Sequence, residues 1–265
     1  MTSNAGEVAI DFNDGLAYER FMGRWSRAAG ATFLDWLTPP GHARWLEIGC
    51  GTGAFTELVL RTCSPQLIVA TDPAAPQIEI ARHQLGNDRV DFRVASAQLL
   101  PFPDRSFDVI AGALVLNFIS DRKRALNEML RVGRSGATVA AYVWDFAAGR
   151  APNSCLALGL TRMGIDTPRV PGAGESTLDS LRSFFEEARF DDVAAMSFEV
   201  TIEFGDFDEF WQSQTPSFSP LTKIIAALPL SERRKLTTLV RSQTLGPSGT
   251  ISYPARANAI RARVP

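Results

Sequence analysis

A glycine-rich turn between a predicted strand and a predicted helix constrains the fold of this chain more than any other feature. Arg44 to Ile48 predicts a short buried strand, Gly49-Cys50-Gly51-Thr52-Gly53 follows at once, and apolar residues then recur at helical spacing. Three glycines let the backbone turn sharply and let a ligand approach where a Cβ atom would collide. The turn therefore predicts a nucleotide-like ligand, but it fits both GxGxG and the dinucleotide pattern GxGxxA.

Predicted strands and helices alternate along most of the chain. After the first strand, the pattern predicts strands at residues 66–71, 90–94, 107–114, 137–144, 193–204 and 250–264. Helical patterns separate most of them, and Pro254 should lie at the start of the last strand or in a bulge because it cannot donate to a ladder. This alternation predicts the α/β class, with a parallel sheet covered by helices on both faces.

Length and composition predict one domain over residues 1–265. A chain of 265 residues that is 45% hydrophobic can bury one substantial core, and α/β folds of this length are often single domains. Within it we predict an N-terminal helix at about residues 14–38 and a core formed by about residues 42–145 and 177–204. We also predict a helical cap insert at about residues 205–248 and a last strand at about residues 250–264.

Charge and cysteine content argue against several classes of protein. The 27 basic and 29 acidic residues include no long run of one sign, so we expect no nucleic-acid partner, and we interpret Arg122-Lys123-Arg124 as a solvated helix start. Three cysteines without CxxC spacing and only two histidines predict neither a disulfide framework nor a metal site. The sequence shows no signal-peptide pattern and no long apolar window, which predicts a cytoplasmic protein without a membrane span.

Two acidic residues flank the glycine turn. Glu47 lies two positions before the first glycine, and Asp72 closes the second predicted strand, where a carboxylate can accept both hydroxyl protons of an unphosphorylated ribose. Such a second acid is used by dinucleotide enzymes and by other nucleotide-binding enzymes alike. The acids therefore strengthen the prediction of a nucleoside ligand without identifying it.

Three motifs in order resemble those of class I S-adenosylmethionine-dependent methyltransferases. Leu46 to Gly53 looks like their motif I, Ala70-Thr71-Asp72-Pro73 like the acidic end of their second strand, and Leu100 to Ile110 like the approach to motif IV. The last run is common in the methyltransferase type 11 branch, which includes ubiquinone and menaquinone C-methyltransferases. The resemblance implies a Rossmann-like three-layer sandwich with helical cap segments, in which a mostly parallel seven-stranded sheet has an antiparallel last strand.

The resemblance also implies a cofactor, S-adenosyl-L-methionine, with S-adenosyl-L-homocysteine as product. The glycine turn would hold the methionine part, Glu47 its ammonium, Asp72 the ribose and Pro73 the adenine. Where relatives usually carry an Asp for the adenine amino group, this chain has Ser96-Ala97, and a serine hydroxyl is a weaker acceptor. The cofactor set implied in this way is Tyr18, Met22, Arg24, Trp25, Glu47, Gly49, Cys50, Gly51, Gly53, Asp72, Pro73, Ser96, Ala97, Gln98, Leu114 and Asn117.

The N-terminal helix has two interpretations. Tyr18, Met22 and Trp25 lie at approximately helical spacing, a pattern that usually marks core residues. In this class, however, an N-terminal helix commonly closes over the cofactor, and Arg24 would then bind the cofactor carboxylate. We expect the N-terminal helix, residues 146–176 and the cap insert to roof a substrate pocket.

The sequence offers no strong general base. Many relatives have a His near Asn117, and an asparagine can orient a substrate but cannot take its proton. The remaining candidates are Tyr142, Asp145, Glu209 and Tyr253. We therefore expect methyl transfer to an O, N or C nucleophile mainly by proximity and orientation.

The sequence constrains the methyl acceptor and the alternative functions less than it constrains the cofactor. Phe207, Phe210, Trp211, Phe218 and Leu221 give the cap insert an apolar surface, which favours an apolar or aromatic small-molecule substrate. A non-catalytic S-adenosylmethionine-binding or regulatory protein is the first alternative. An NAD-dependent oxidoreductase is the second, although the sequence lacks a hydride-transfer set such as Tyr-x-x-x-Lys. A monomer and a homodimer are both compatible with the sequence.

Overall fold

The computed structural model describes residues 15–217, 219–244 and 250–265, with side chains from Met22 onward. The strands are Arg44–Ile48 (β1), Leu67–Asp72 (β2), Val90–Val94 (β3), Phe107–Ala113 (β4), Gly133–Trp144 (β5), Asp191–Phe204 (β6) and Ile251–Arg263 (β7). The helices are Gly15–Leu37 (α1), Ala54–Thr62 (α2), Ala75–Gln84 (α3), Arg122–Val132 (α4), Ser154–Arg162 (α5), Leu178–Glu187 (α6), Phe207–Gln214 (α7), Pro220–Ala227 (α8) and Leu230–Thr244 (α9).

The strands form one seven-stranded sheet in the order β3-β2-β1-β4-β5-β7-β6. Strands β1 to β5 pair in parallel, and β7 pairs antiparallel to both β5 and β6, which confirms the predicted sheet. The direction of strand order reverses between β1 and β4. In open α/β sheets, ligands bind outside the carboxyl ends of the strands at such a reversal. The glycine turn follows β1 at this point.

Two hydrophobic clusters cover the two faces of the sheet. Consecutive residues of a strand point to opposite faces, so Trp45 packs in one cluster and Leu46 in the other, and both are buried. The first cluster includes α1, α2 and the cap helices, and the second includes α4 and α6. Helices on both faces make the predicted three-layer sandwich. Within the described residues, no helix combines the length and apolar character needed to cross a bilayer.

Two details differ from the sequence predictions. Residues 146–176 contain Gly and Pro residues and only a weak apolar period, a pattern that does not predict a helix, yet they include α5. Gly159 permits close helix packing there, since a Cβ would lie 2.6 Å from Leu236 of α9. Pro254 lies inside β7 in regular register with Thr201, not at a bulge. It is tolerated because β5 pairs with β7 only from Ala257 onward, so one side of β7 has no neighbouring strand at Pro254.

Candidate functional site

The structure accounts for each of the three glycines of the turn in a different way. Gly49, Gly51 and Gly53 have φ angles of +69°, +53° and +91°, a region that favours glycine. A Cβ at Gly49 would collide with Val115, and one at Gly53 would lie 2.7 Å from Leu85. A Cβ at Gly51 would meet no atom within 4 Å. Packing therefore requires the first and third glycines, whereas the second borders open space that a ligand can fill.

Glu47 is a buried carboxylate beside this turn. Thr56 donates a hydrogen bond to its Oε2 at 2.6 Å, while Oε1 has no hydrogen-bond partner among the described residues. Burial raises the pKa of Glu47 to about 7; the Thr56 bond opposes this shift, and the negative charge of Asp72 adds to it. A buried carboxyl with one unsatisfied oxygen is suited to bind a cationic ligand group.

Asp72 is fixed at the end of β2. Its Oδ2 accepts from Gly51 N at 3.0 Å and its Oδ1 accepts from Ala74 N at 2.9 Å. Burial raises the pKa of Asp72, and these two bonds oppose the rise. Cys50 N donates to Thr71 O at 2.9 Å, which ties the turn to β2, and burial raises the pKa of the Cys50 thiol. The carboxylate is thus held against the glycine turn with its direction set.

The residues after β3 lie close to Asp72. Ala95 N donates to Asp72 O at 3.1 Å, so the turn from Ser96 to Gln98 begins beside the end of β2, where Pro73 is exposed. Ser96 Oγ accepts from Gln98 N at 3.2 Å. The serine hydroxyl therefore shapes its own turn. The structure thus places the start of this turn beside Asp72, and its role in binding adenine stays a prediction.

Asn117 fixes a loop. Leu114 leaves β4 with a φ of +58° and donates to Tyr142 O at 2.8 Å, and Asn117 follows in a short buried turn. The Asn117 amide donates to Pro171 O at 3.1 Å, and its Oδ1 has no hydrogen-bond partner within the described part of the chain. Asn117 does not line the cavity described below. Its observed contact positions a neighbouring segment.

The N-terminal helix agrees only in part with the predicted cofactor set. Met22 lines the cavity, but Trp25 is 1% exposed and packs edge-on against Trp144 in the core. Arg24 pairs with Glu209 of α7 at 2.9 Å and donates to the backbone of β6, so its guanidinium is engaged by the cap. The side chain of Tyr18 lies outside the described residues. Trp25 thus packs on the sheet and Arg24 pairs with the cap, and a contact of either residue with the cofactor stays a prediction.

The other candidate bases hold the fold together. Tyr142 is buried, with its ring 4.8 Å from that of Phe33. Asp145 is buried and pairs with Arg256 at 2.6 Å. Tyr253 is hydrogen-bonded to Cys155, and burial raises its pKa. None of the three lines the cavity. Each is engaged in a core contact, and a role as general base stays a prediction for all three.

A cavity of about 280 Å³ adjoins the carboxyl ends of β4 and β5. Its walls come from α1, residues 146–173 and the start of α8, the three segments expected to roof a pocket. Leu221 lines it, whereas Phe207 and Phe210 are buried in the core and Phe218 lies outside the described residues. Arg169 also lines it, and the sequence analysis missed this residue because an isolated arginine in a Gly- and Pro-containing segment carries no pattern.

Arg122 differs from its predicted solvated position. Only 14% of its side chain is exposed, and it pairs with Glu175. Its Nε donates to Leu116 O at 3.1 Å and its Nη2 to Asn117 O at 2.9 Å. A guanidinium can satisfy several acceptors in one plane, so this arginine joins the turn after β4 to the segment near residue 175.

Comparison with known proteins identifies the kind of domain. Residues 46–141 match the family described as methyltransferase domain. A demethylmenaquinone methyltransferase of Roseiflexus sp. is 36% identical over 110 residues, which are 42% of this chain and 46% of that protein. A malonyl-[acyl-carrier protein] O-methyltransferase of Methylococcus capsulatus is 31% identical over 136 residues, 51% of this chain and 48% of that protein. These alignments span about half of each relative.

The fold has solved counterparts. The structure of Haemonchus contortus phosphoethanolamine N-methyltransferase 2 in complex with S-adenosyl-L-methionine superposes with a TM-score of 0.61 at 17% identity. The superposition covers 98% of this chain and 61% of that chain. At this identity the likeness concerns the fold.

Proposed function

We propose that this chain is a class I S-adenosylmethionine-dependent methyltransferase and that it methylates a small molecule held in the cavity. The unsatisfied Oε1 of buried Glu47, together with the open space at Gly51, carries the proposal. A carboxylate and a glycine turn without obstructing side chains fit an amino acid moiety with a cationic amine.

In the proposal, different residues at the carboxyl edge of the sheet bind different parts of the cofactor. In the proposal, Glu47 and the turn from Gly49 to Gly53 bind the amino acid end of S-adenosylmethionine. Asp72 binds the ribose hydroxyls through lone pairs that its two backbone bonds leave free. Pro73 and the turn from Ser96 to Gln98 border the adenine. The bound cofactor supplies an electrophilic methyl group on a sulfonium.

The protein contributes mainly positioning. The described residues that line the cavity include no carboxylate, histidine, tyrosine, lysine or cysteine. In the proposal, the acceptor reacts without a base from these residues, and the apolar walls orient it and exclude water. The relatives reported above are named for different acceptors, so the proposal covers O, N and C nucleophiles and the product S-adenosylhomocysteine. The unpaired state of Cys50, Cys63 and Cys155 supports a reducing location such as the cytoplasm.

Calorimetric titration of the full chain with S-adenosylmethionine, S-adenosylhomocysteine and NAD tests the cofactor part. We expect the first two to bind and NAD not to bind. Asp72→Ala should weaken binding at least about tenfold, since a hydrogen bond to a charged group contributes about 1.5 to 3 kcal/mol. Asp88→Ala, which removes the same charge from an exposed position, is the matched control. NAD binding without S-adenosylmethionine binding would contradict the proposal, as would unchanged affinity in a folded Asp72→Ala variant.

Transfer of a labelled methyl group tests the activity. Incubation with methyl-labelled S-adenosylmethionine and a cell extract should place label in the small-molecule fraction. Label found only in protein or nucleic acid would refute a small-molecule acceptor. Tight cofactor binding without any transfer would favour the non-catalytic alternative.

A further inference from the structure

One cationic side chain stands in an otherwise uncharged cavity wall. Among the described residues that line the cavity, Arg169 alone is ionisable, and its side chain is exposed. It makes no ion pair or hydrogen bond within the part of the chain that the structure describes. A guanidinium without a partner beside apolar walls attracts an anion, and its planar fork matches a carboxylate.

The acidic groups near this segment do not neutralise Arg169. Glu175 is paired with Arg122, and Asp145 is paired with Arg256. Asp166 precedes Arg169 by three residues but forms no ion pair with it in the structure. The positive charge at the cavity is therefore available to a ligand.

The segment that carries Arg169 is attached to the turn after β4. Asn117 donates to Pro171 O at 3.1 Å. Gly172 has a φ of +63°, and a Cβ there would collide with Asn117 O, so the two backbones are in close contact. Arg122 bonds to Asn117 O and pairs with Glu175 on the far side of the segment. These contacts fix the segment beside the edge of the sheet where the cofactor site lies.

We infer that the cavity takes a small apolar molecule with a single carboxylate, and that Arg169 binds this carboxylate. The inference rests on the proposed function, because it assigns a substrate class to the pocket proposed there. Apolar wall residues such as Trp144, Phe146 and Leu221 contact the body of the molecule, and the charge at Arg169 decides which end faces Leu114 and the glycine turn. Arg169 thus determines specificity and orientation.

Three ligands of one shape but different charge test this inference on the full chain. Phenylpropionate, phenylpropanol and phenylpropylamine share an aromatic body and differ in their terminal group. Calorimetry should show that the acid binds about tenfold more tightly than the alcohol, the effect of one partly solvated charge-assisted contact, and that the amine binds more weakly than either. Arg169→Gln should bring the acid and the alcohol to equal affinity. Arg162→Gln, at the exposed end of α5 and outside the cavity wall, should keep the preference.

The outcomes separate this inference from the function itself. Equal binding of acid and alcohol by the wild type overturns it, as does a preference that survives in Arg169→Gln. The inference is also overturned if Arg162→Gln loses the preference for the acid, because the general positive charge of the surface would then cause that preference. Titration of both variants with S-adenosylmethionine should give the wild-type affinity. If the cofactor binds while the acid preference is absent, the substrate class is wrong and the proposed function stands; if the cofactor fails to bind, the function is wrong.

Discussion

The buried carboxyl of Glu47 should make the stability of the ligand-free protein depend on pH. Its pKa is raised from 4.5 to about 7, mainly by burial. A carboxyl with a higher pKa in the folded state binds its proton more tightly there, so protonation favours folding. This stability is fully present below about pH 4.5 and is lost as the pH rises through about 7. At about 1.4 kcal/mol per pKa unit, ionisation lowers the free energy of unfolding by about 3 kcal/mol in total.

Glu47→Gln removes this ionisation and keeps the shape of the side chain. An amide oxygen can still accept from Thr56, so we expect the variant to fold. Urea unfolding at about pH 5 and about pH 8 should show that the wild type loses about 2.5 kcal/mol more than the variant between these conditions. Glu79→Gln, at an exposed position on α3, should follow the wild type. If the free energy of unfolding changes with pH by the same amount in the wild type and in Glu47→Gln, Glu47 does not have the raised pKa that burial should give it.

Four further substitutions test the assignments within and around the site. Gly49→Ala should lower the melting temperature more than Gly51→Ala, because only the former adds a collision with Val115 to the cost of a positive φ, about 1 to 2 kcal/mol; equal melting temperatures would argue against it. Gly51→Ala should instead weaken S-adenosylmethionine binding at least about tenfold by calorimetry, since its Cβ would enter the ligand space, and full affinity would show that the space is unused. Tyr253→Phe should keep methyl transfer near the wild-type rate once an acceptor is identified, because its hydroxyl is bound within the core; a loss above about a hundredfold, the size of a general-base effect, would restore it as a base. Asp145→Asn should lower the free energy of unfolding by about 3 kcal/mol in urea titrations by leaving its arginine partner without a counter-charge, and a change near zero would mean that the ion pair contributes little.

The glycine turn and its acids could be predicted because their chemistry is local. A turn with positive φ at Gly49, Gly51 and Gly53 must follow β1 directly, and the register of β1 with β2 places Asp72 beside it. Nearly continuous apolar runs likewise predicted the central strands, because a strand buried on both faces is apolar along most of its length. The helix α5 was missed because the glycine that permits its packing also resembles a breaker.

The partners of polar and aromatic side chains could not be predicted in this way. Asp145 follows β5 and Tyr253 lies in β7, and the sequence suggested both as residues of the active site. Each is instead bound to a partner from a distant part of the chain. Trp25 packs on Trp144 and Tyr253 of the sheet. Arg24 faces the cap, whose position depends on how the last helices return over the sheet. Sequence spacing predicts which residues share one face of a helix, but it does not predict which part of the protein packs against that face.

The sequence by itself therefore determined the α/β sheet, the turn after β1 and the two acids at its edge, since these depend on local backbone geometry and on hydrophobic period. Only the tertiary structure decided that Asn117 and Arg122 fix the segment around Pro171, and that Arg169 is the one charged residue among the described residues of the cavity wall. The physical reason is that a side chain's burial and charge partners depend on long-range packing. The contacts that attach the segment of Arg169 to the turn after β4 join distant residues, such as Asn117 and Pro171, which are 54 positions apart, and sequence spacing does not reveal such contacts.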